Sequence, residues 1–401
     1  VLETLDDWVF GTEAFPTIKE KAALLLKLQV AFTDATLVSK YFDLIVGIFN
    51  DPKLRHTELP ARLEQPFLIG CMTQHHPQAR KQLLRILNDS IDRSISKRLV
   101  YVLQEQNWEA VADQQWLAPA LAILLAVVKV NKKLDIDIDM AFAPVEVLQY
   151  SIASVSRTGI DVDSSSELQK FIERCVDLLG RIDKIDTLEF IEPLLNLITV
   201  DPHLVNDVWI DLFPNLISNA YNDKERTDLL QSTVVLLSKE YNLRQCNKRP
   251  NVVQTILTGL ADAKQMVPPQ LTKYLATSYS AWFPALQICE SMTTVVENPT
   301  PLVSKVTDDT LAELYAALGE DDFFYGHWRS KSKFPITAAA LSYEQCGMWS
   351  KAMHLHETAQ LRARSGALPF GESEYNLWED HWILCAEKLQ HWEILADIAR
   401  H

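Results

Sequence analysis

Hydrophobic positions recur along most of this chain at spacings of three and four residues, the pattern of amphipathic α-helices. Ala22, Leu25 and Leu26 share one face of a helix that the pattern starts near Thr17. A second apolar stripe consists of Leu37, Tyr41, Leu44, Ile45 and Ile48. A helix with one apolar face has to bury it against another element, so the pattern predicts helices packed side by side.

Prolines and capping residues predict where many of these helices begin. His76-Pro77 and Asp201-Pro202 place proline in a first turn, where its missing N–H removes no helical hydrogen bond. Ser164 and Thr310 each precede a glutamate by three residues, which is the spacing of a capping box. We predict roughly 18 to 20 helices with short connections. Residues 134–140 alternate apolar and acidic residues, but no partner strand lies nearby, and we expect an acidic loop there.

The stretch 318–349 shows how these helices pair. It contains a helix, a break at Phe334-Pro335, a second helix with three consecutive alanines, and a turn at Gly347. Small residues let two helices approach closely, and glycine is a preferred residue just after a helix end. This is a helical hairpin. Because similar patterns recur, we predict an all-α fold, an α-solenoid of antiparallel helical hairpins.

Tryptophans follow several predicted helix ends, at Trp108, Trp282, Trp349 and Trp392. These side chains could line a ligand groove, or each could wedge one helical pair against the next. We favour the structural interpretation, since buried aromatic side chains dominate this kind of packing.

The 401 residues carry a net charge of −15, and the charge is uneven. Residues 134–223 contain 17 acidic against 5 basic residues, whereas residues 1–100 contain 12 acidic and 13 basic residues. An acidic chain is a poor binder of nucleic acid, because phosphate contacts need clustered lysine and arginine. The acidic middle is either a solvated outer face or a docking surface for a basic partner.

Six cysteines stand singly, without a Cys-x-x-Cys pair, so the sequence indicates neither a zinc knuckle nor a disulfide framework. This usage fits a reducing compartment, the cytosol or the nucleus. The most apolar run, 117–130, is shorter than the roughly 20 residues that span a bilayer, and we expect a buried helix. The chain ends inside a predicted helix, so we expect a fragment of a longer protein.

We find no arrangement of residues that predicts catalysis. Neither a P-loop nor a Gly-x-Gly-x-x-Gly pattern occurs, and 322–324 lacks the glycine of a kinase metal-binding triplet. Cys71 with His75-His76, and His354 with His356, lack convincing third and fourth metal ligands, so we interpret these histidines as surface residues. We therefore predict no catalytic, cofactor-binding or metal-binding residue, and no enzyme.

A basic run at 327–333 contains Arg329, Lys331 and Lys333 next to Trp328. Positive charge beside an aromatic side chain could bind an acidic partner. The alternative is a solvated helix end, where cations are favoured by the helix dipole. We keep these three residues as the candidate partner-binding residues.

Five motifs in a specific order resemble one family. They are residues 249–255, 279–282, 320–328, 342–349 and 377–382. Together they resemble the FAT region of the transformation/transcription-domain-associated protein family (TRRAP and its fungal counterpart), relatives of the phosphatidylinositol-3-kinase-related kinases. The fungal member is favoured. Before residue 249 no motif points to a family.

The resemblance implies HEAT-like repeats over 1–225 and TPR-like repeats, the N-terminal part of a FAT domain, over 226–401. It implies a scaffold segment of a pseudokinase subunit in nuclear histone acetyltransferase coactivator complexes of the SAGA type. The expected partners are transcriptional activators and other complex subunits, not nucleic acid, membrane or a small-molecule substrate. It also implies that Trp282, Trp328, Trp349 and Trp392 are structural. The alternative is the regulatory helical region of an active kinase of the same superfamily.

Overall fold

The computed structural model describes residues 2–11, 15–32, 34–74, 76–129, 170, 186–295, 301–369 and 371–400. These ranges contain twenty α-helices, one π-helix and two short 3-10 helices, and no β-strand. The predicted all-α solenoid class is confirmed. The chain divides into two compact units, Val1–Gln245 and Cys246–His401.

The first unit contains eleven of the described α-helices. They are α1 (Leu2–Phe10), α2 (Ile18–Ala31), α3 (Ala35–Asn50), α4 (Glu58–Arg62), α5 (Glu64–Met72), α6 (Pro77–Ser90), α7 (Ile95–Val100), α8 (Leu117–Leu125), α9 (Thr187–Ile198), α10 (Pro202–Ala220) and α11 (Asp223–Leu237). The π-helix Tyr101–Glu105 continues α7, and 3-10 turns cover Glu109–Val111 and Glu240–Gln245.

The second unit contains the other nine. They are α12 (Val252–Asp262), α13 (Pro269–Tyr279), α14 (Trp282–Val295), α15 (Pro301–Leu318), α16 (Asp321–Lys331), α17 (Pro335–Gln345), α18 (Trp349–Arg364), α19 (Glu372–Lys388) and α20 (Trp392–Ile398). Consecutive helices pack against each other, most extensively α17 with α18 and α18 with α19.

Several helix starts lie where proline and capping residues predict them. Helices α6, α10 and α17 each begin at the predicted proline. Asp201 caps α10 by accepting a hydrogen bond from the His203 backbone N–H at 2.8 Å. The prediction of a capping box at Thr310 is wrong, because α15 begins at Pro301 and Thr310 lies inside this helix. The capping box at Ser164 lies outside the described residues, as do residues 134–140 and most of the acidic stretch.

A pair of stacked tryptophans is buried in the core of the first unit. Trp108 and Trp116 are both fully buried, with ring centroids 4.8 Å apart and planes at 10°. The Trp108 indole donates to the Val102 carbonyl at 2.9 Å, which ties the turn to the π-helix. The predicted buried helix, α8, packs beside them, and its residues Leu117 to Leu124 are all buried.

Arg98 is a buried cation in the same unit, with 3% of its surface exposed. Its guanidinium donates to the carbonyls of Asn88, Asp92 and Ile123 at 2.6–3.0 Å and to the Asn88 side chain at 2.7 Å. Asn88 and Ile123 lie in the last turns of α6 and α8. The negative ends of two helix dipoles therefore compensate this charge.

None of the described helices is both long and apolar enough to cross a membrane. The predicted boundary at 225/226 lies inside α11, and the change from HEAT-like to TPR-like repeats stays a prediction.

Candidate functional site

The basic run forms the end of α16, and its three cations have different surroundings. Arg329 is exposed and donates to the Gln345 side chain at 3.0 Å. Lys331 forms an ion pair with Asp309 of α15, and its ammonium lies 4.4 Å from the Trp328 ring centroid. Its side chain is only 14% exposed. Lys333 follows the helix and is exposed. Lys331 therefore joins α15 to α16, which leaves Arg329 and Lys333 as the accessible pair.

The predicted structural tryptophans differ in burial. Trp282, Trp349 and Trp392 each occupy the first residue of a helix, as their positions after predicted helix ends imply. Trp328 is buried, and Trp282 and Trp349 are half-buried. Trp392 is 62% exposed, so the prediction that it is a buried wedge is wrong for this chain. Helix α20, which Trp392 begins, packs mainly against α19.

Trp378 on α19 is buried as well, with 1% of its surface exposed. Its indole donates to the Thr337 hydroxyl at 3.0 Å, and that hydroxyl donates to Glu374 at 2.6 Å. Glu374 also accepts the Lys333 backbone N–H at 2.7 Å. This buried chain of hydrogen bonds joins the start of α17 to α19.

A second buried polar cluster surrounds Glu344, in the last turn of α17. One carboxylate oxygen accepts from His356 Nε2 of α18 at 2.6 Å and lies 3.7 Å from the Cys385 sulfur of α19. The other oxygen accepts from His381 Nδ1 of α19 at 2.8 Å and from the Tyr325 hydroxyl of α16 at 3.2 Å. We name these five residues the Glu344 cluster. Four helices contribute to it.

The interpretation of His356 as a surface histidine is wrong, because His356 has no exposed surface. Residue 356 lies on the face of α18 that packs against α17 and α19, whereas His354, two residues earlier, is exposed. Side chains two apart point to different faces of a helix, which the spacing alone already implied. Which of the two faces is buried depends on neighbouring helices.

The electrostatics of the Glu344 cluster follow from its burial and its donors. Burial raises the pKa of the Glu344 carboxyl, but the hydrogen bonds from His356 and His381 lower it more, to about 2. Burial also raises the pKa of the Cys385 thiol to about 12. In the part of the chain that is described, His356 Nδ1 is buried without a hydrogen-bond partner. The cluster is thus an ionised carboxylate enclosed by imidazole, thiol and phenol groups.

Sequence reasoning missed this cluster. Glu344 and Cys385 were parts of no metal or catalytic pattern, since His356 and Cys385 follow Glu344 by 12 and 41 residues. The one available signal was that these residues lie on the facing sides of three consecutive helices. To recognise it, one must know how these helices are aligned against each other, and the sequence does not show that alignment.

The comparison with known proteins identifies the family. The model of the Tra1 HEAT repeat ring region matches residues 1–263. This chain belongs to the Tra1/TRRAP family. It is 38% identical over 98% of its length to the SAGA complex/NuA4 acetyltransferase complex subunit TRA1 of Saccharomyces cerevisiae. It is 36% identical over its whole length to Tra1 of Schizosaccharomyces pombe, named as a subunit of the same two complexes.

The human transformation/transcription domain-associated protein is also similar, with 26% identity over 99% of this chain. The resemblance found in the sequence is thereby confirmed, and the fungal relatives are the more similar ones. The chain spans only about a tenth of the length of these relatives, namely 10%, 11% and 12%. The family match adds residues 1–248, where no motif indicated a family.

Proposed function

We propose that this chain is a non-catalytic scaffold segment of a subunit shared by nuclear histone acetyltransferase complexes of the SAGA and NuA4 type. The observation that carries the proposal is the 38% identity, over 98% of the chain, to a protein named as a subunit of both complexes. The segment belongs to a pseudokinase, whose kinase-like domain lies elsewhere in the longer protein.

The physical basis is the architecture of each unit. Stacked helical pairs bury a continuous core between neighbours and leave the outer faces of the helices for other proteins. In the second unit, buried polar side chains form hydrogen bonds between different helices. Thr337, Glu344 and Glu374 are examples. These contacts support a rigid platform. Large exposed residues such as Phe283, 77% exposed, and Phe323, 59% exposed, give the outer faces apolar contact area.

We place the recruitment of transcriptional activators at Arg329 and Lys333. Both are exposed near the end of α16, and Lys331 holds that end in place through Asp309. Two exposed cations near the same helix end attract an acidic activation domain by electrostatic complementarity.

The test is to purify the intact subunit through an affinity tag from nuclear extract. We expect acetyltransferase activity on histones in the eluate, together with the other subunits of both complexes. The same eluate is assayed for phosphate transfer from ATP to protein. If the subunit purifies without acetyltransferase activity, the scaffold proposal is contradicted. If the eluate transfers phosphate, and a variant of the subunit without its kinase-like domain does not, the alternative of an active kinase is supported.

A further inference from the structure

The Glu344 cluster combines several side chains that ligate transition metals. A carboxylate oxygen of Glu344, Nε2 of His356 and the sulfur of Cys385 all lie within 4.8 Å of one another. The three residues are 2%, 0% and 0% exposed. They come from α17, α18 and α19, so three helices converge on one point.

A fourth donor lies beside these three. Nδ1 of His381 is 2.8 Å from the second carboxylate oxygen of Glu344, and its side chain is 12% exposed. His381 precedes Cys385 by four residues on α19, which puts both side chains on the same face of that helix. The ring centroids of His356 and His381 are 5.9 Å apart, and each imidazole contacts a different carboxylate oxygen of Glu344.

The charges of the cluster would balance around a bound divalent cation. The partners of the buried carboxylate are Tyr325, His356, His381 and Cys385, none of which carries a permanent positive charge. A buried charge is costly unless it is compensated. A divalent cation bound by one carboxylate, one thiolate and two neutral imidazoles gives a net charge of zero.

The chemistry of the donors selects the metal. Two imidazole nitrogens, one sulfur and one oxygen suit Zn²⁺, which prefers four such ligands in a tetrahedron and bonds of about 2.0–2.3 Å. Donor atoms in such a tetrahedron are about 3.3–3.7 Å apart. The Cys385 sulfur already lies 3.7 Å from the Glu344 oxygen. The 2.6 Å between His356 Nε2 and that oxygen has to open by less than about 1 Å, which side-chain rotation can supply.

We propose that Glu344, His356, His381 and Cys385 form a closed structural zinc site that joins α17, α18 and α19. On binding, the contacts of His356, His381 and Cys385 with Glu344 are replaced by one Zn–O, two Zn–N and one Zn–S bond, and the Tyr325 hydroxyl keeps its hydrogen bond to the carboxylate. The Cys385 S–H bond breaks and its proton leaves to solvent. The proton that each imidazole directs at Glu344 moves to the other ring nitrogen by exchange with solvent, so that His356 Nε2 and His381 Nδ1 are free to bind the metal. No atom is oxidised or reduced.

The experiment measures zinc in the intact chain, purified without chelator, by elemental analysis. We expect about one zinc per chain, as one closed site holds one ion. A strong chelator should then lower the midpoint of thermal unfolding, and added Zn²⁺ should restore it. Replacing zinc by Co²⁺ should produce the absorption of a cobalt–thiolate bond.

Two variants locate the site. Cys385→Ser should lose the bound zinc and the cobalt–thiolate absorption, whereas Cys346→Ser, at an exposed cysteine, should keep both. His381→Gln should lose the zinc but keep a folded chain, since glutamine retains a hydrogen-bond donor at this partly exposed position. If Cys385→Ser does not fold, the wild-type cobalt spectrum and His381→Gln decide the question.

Three results would overturn the proposal. The first is a wild-type chain that contains no zinc, takes up no cobalt and unfolds at the same temperature with and without chelator. The second is a Cys385→Ser chain that binds zinc as well as the wild type does. The third is an unaltered zinc content in His381→Gln. In each case hydrogen bonds alone hold the Glu344 cluster together.

Discussion

The indole N–H of Trp378 donates to the hydroxyl of Thr337 at 3.0 Å, across the contact between α19 and α17. Both residues are buried, and the Thr337 hydroxyl donates its own hydrogen bond to Glu374 at 2.6 Å. The large Trp378 side chain and the hydrogen bonds that link Trp378, Thr337 and Glu374 thus occupy the same interface. Packing and hydrogen bonding therefore favour the same alignment of α17 against α19.

Removing this indole should therefore be costly. We expect Trp378→Ala to lower the free energy of unfolding by about 3–5 kcal/mol, the usual range for a buried aromatic side chain. Trp392→Ala is the matched control, because Trp392 is 62% exposed, and its effect should stay within about 0.5 kcal/mol. Denaturant unfolding of the intact chain measures both. Equal losses of free energy in the two variants would contradict the difference in burial between Trp378 and Trp392.

The buried guanidinium of Arg98 leads to a second prediction. Arg98→Met keeps much of the side-chain volume but leaves the carbonyls of Asn88, Asp92 and Ile123 without this donor. An unsatisfied buried acceptor costs about 1–3 kcal/mol. We expect a loss of at least about 2 kcal/mol in the free energy of unfolding, measured by chemical denaturation.

The control is Arg93→Met, at an exposed arginine in the loop that precedes α7. It should change the free energy of unfolding by less than about 0.5 kcal/mol. A neutral Arg98→Met would mean that water satisfies these carbonyls and that the charge contributes nothing to stability.

Local sequence signals predicted the helices well, because a helix start depends on residues close in the chain. Pro77, Pro202 and Pro335 begin α6, α10 and α17, since proline lacks only an N–H that a first turn does not use. The prediction of a helix start at Thr310 failed. The spacing of Thr310 and Glu313 matches a capping box, but the helix begins nine residues earlier, at Pro301.

Contacts between helices were harder to predict than the helices. Trp392 follows a turn, as Trp349 does, and only the surrounding helices decide that it is exposed while Trp378 is buried. The Glu344 cluster brings together residues 12, 37 and 41 positions apart, which no short pattern reveals. Family motifs were found only from residue 249 onward, whereas the family model matches 1–263.

The exposed cations at the end of α16 give a prediction about binding. Arg329→Glu combined with Lys333→Glu in the intact subunit should lower the affinity for an acidic activation domain by about tenfold, since two reversed rim charges together contribute about 1.4 kcal/mol. The effect should shrink as salt is raised. Fluorescence anisotropy with a labelled acidic peptide measures it.

Two further variants separate binding from stability. Lys388→Glu reverses an exposed charge in the last turn of α19 and should leave the affinity unchanged. Lys331→Met should lower stability instead, because Lys331 pairs with Asp309 and lies over Trp328. If the variant with both charges reversed binds the peptide with wild-type affinity, the hypothesis that activators bind at Arg329 and Lys333 is contradicted.

Two glycines inside helices should respond to alanine in opposite ways. A Cβ at Gly70 of α5 would lie 2.3 Å from Leu83 Cδ1 and 3.1 Å from the Phe42 ring, so α3, α5 and α6 pack directly against this backbone. Overpacking a core costs about 1–3 kcal/mol. At Gly326 of α16 a Cβ meets nothing within 4 Å, and alanine exceeds glycine in helix propensity by about 0.8–1.0 kcal/mol. We expect Gly70→Ala to lower and Gly326→Ala to raise the midpoint of thermal unfolding. A stabilising Gly70→Ala would mean that Leu83 can move aside and that the packing of α5 on α6 is looser than the structure shows.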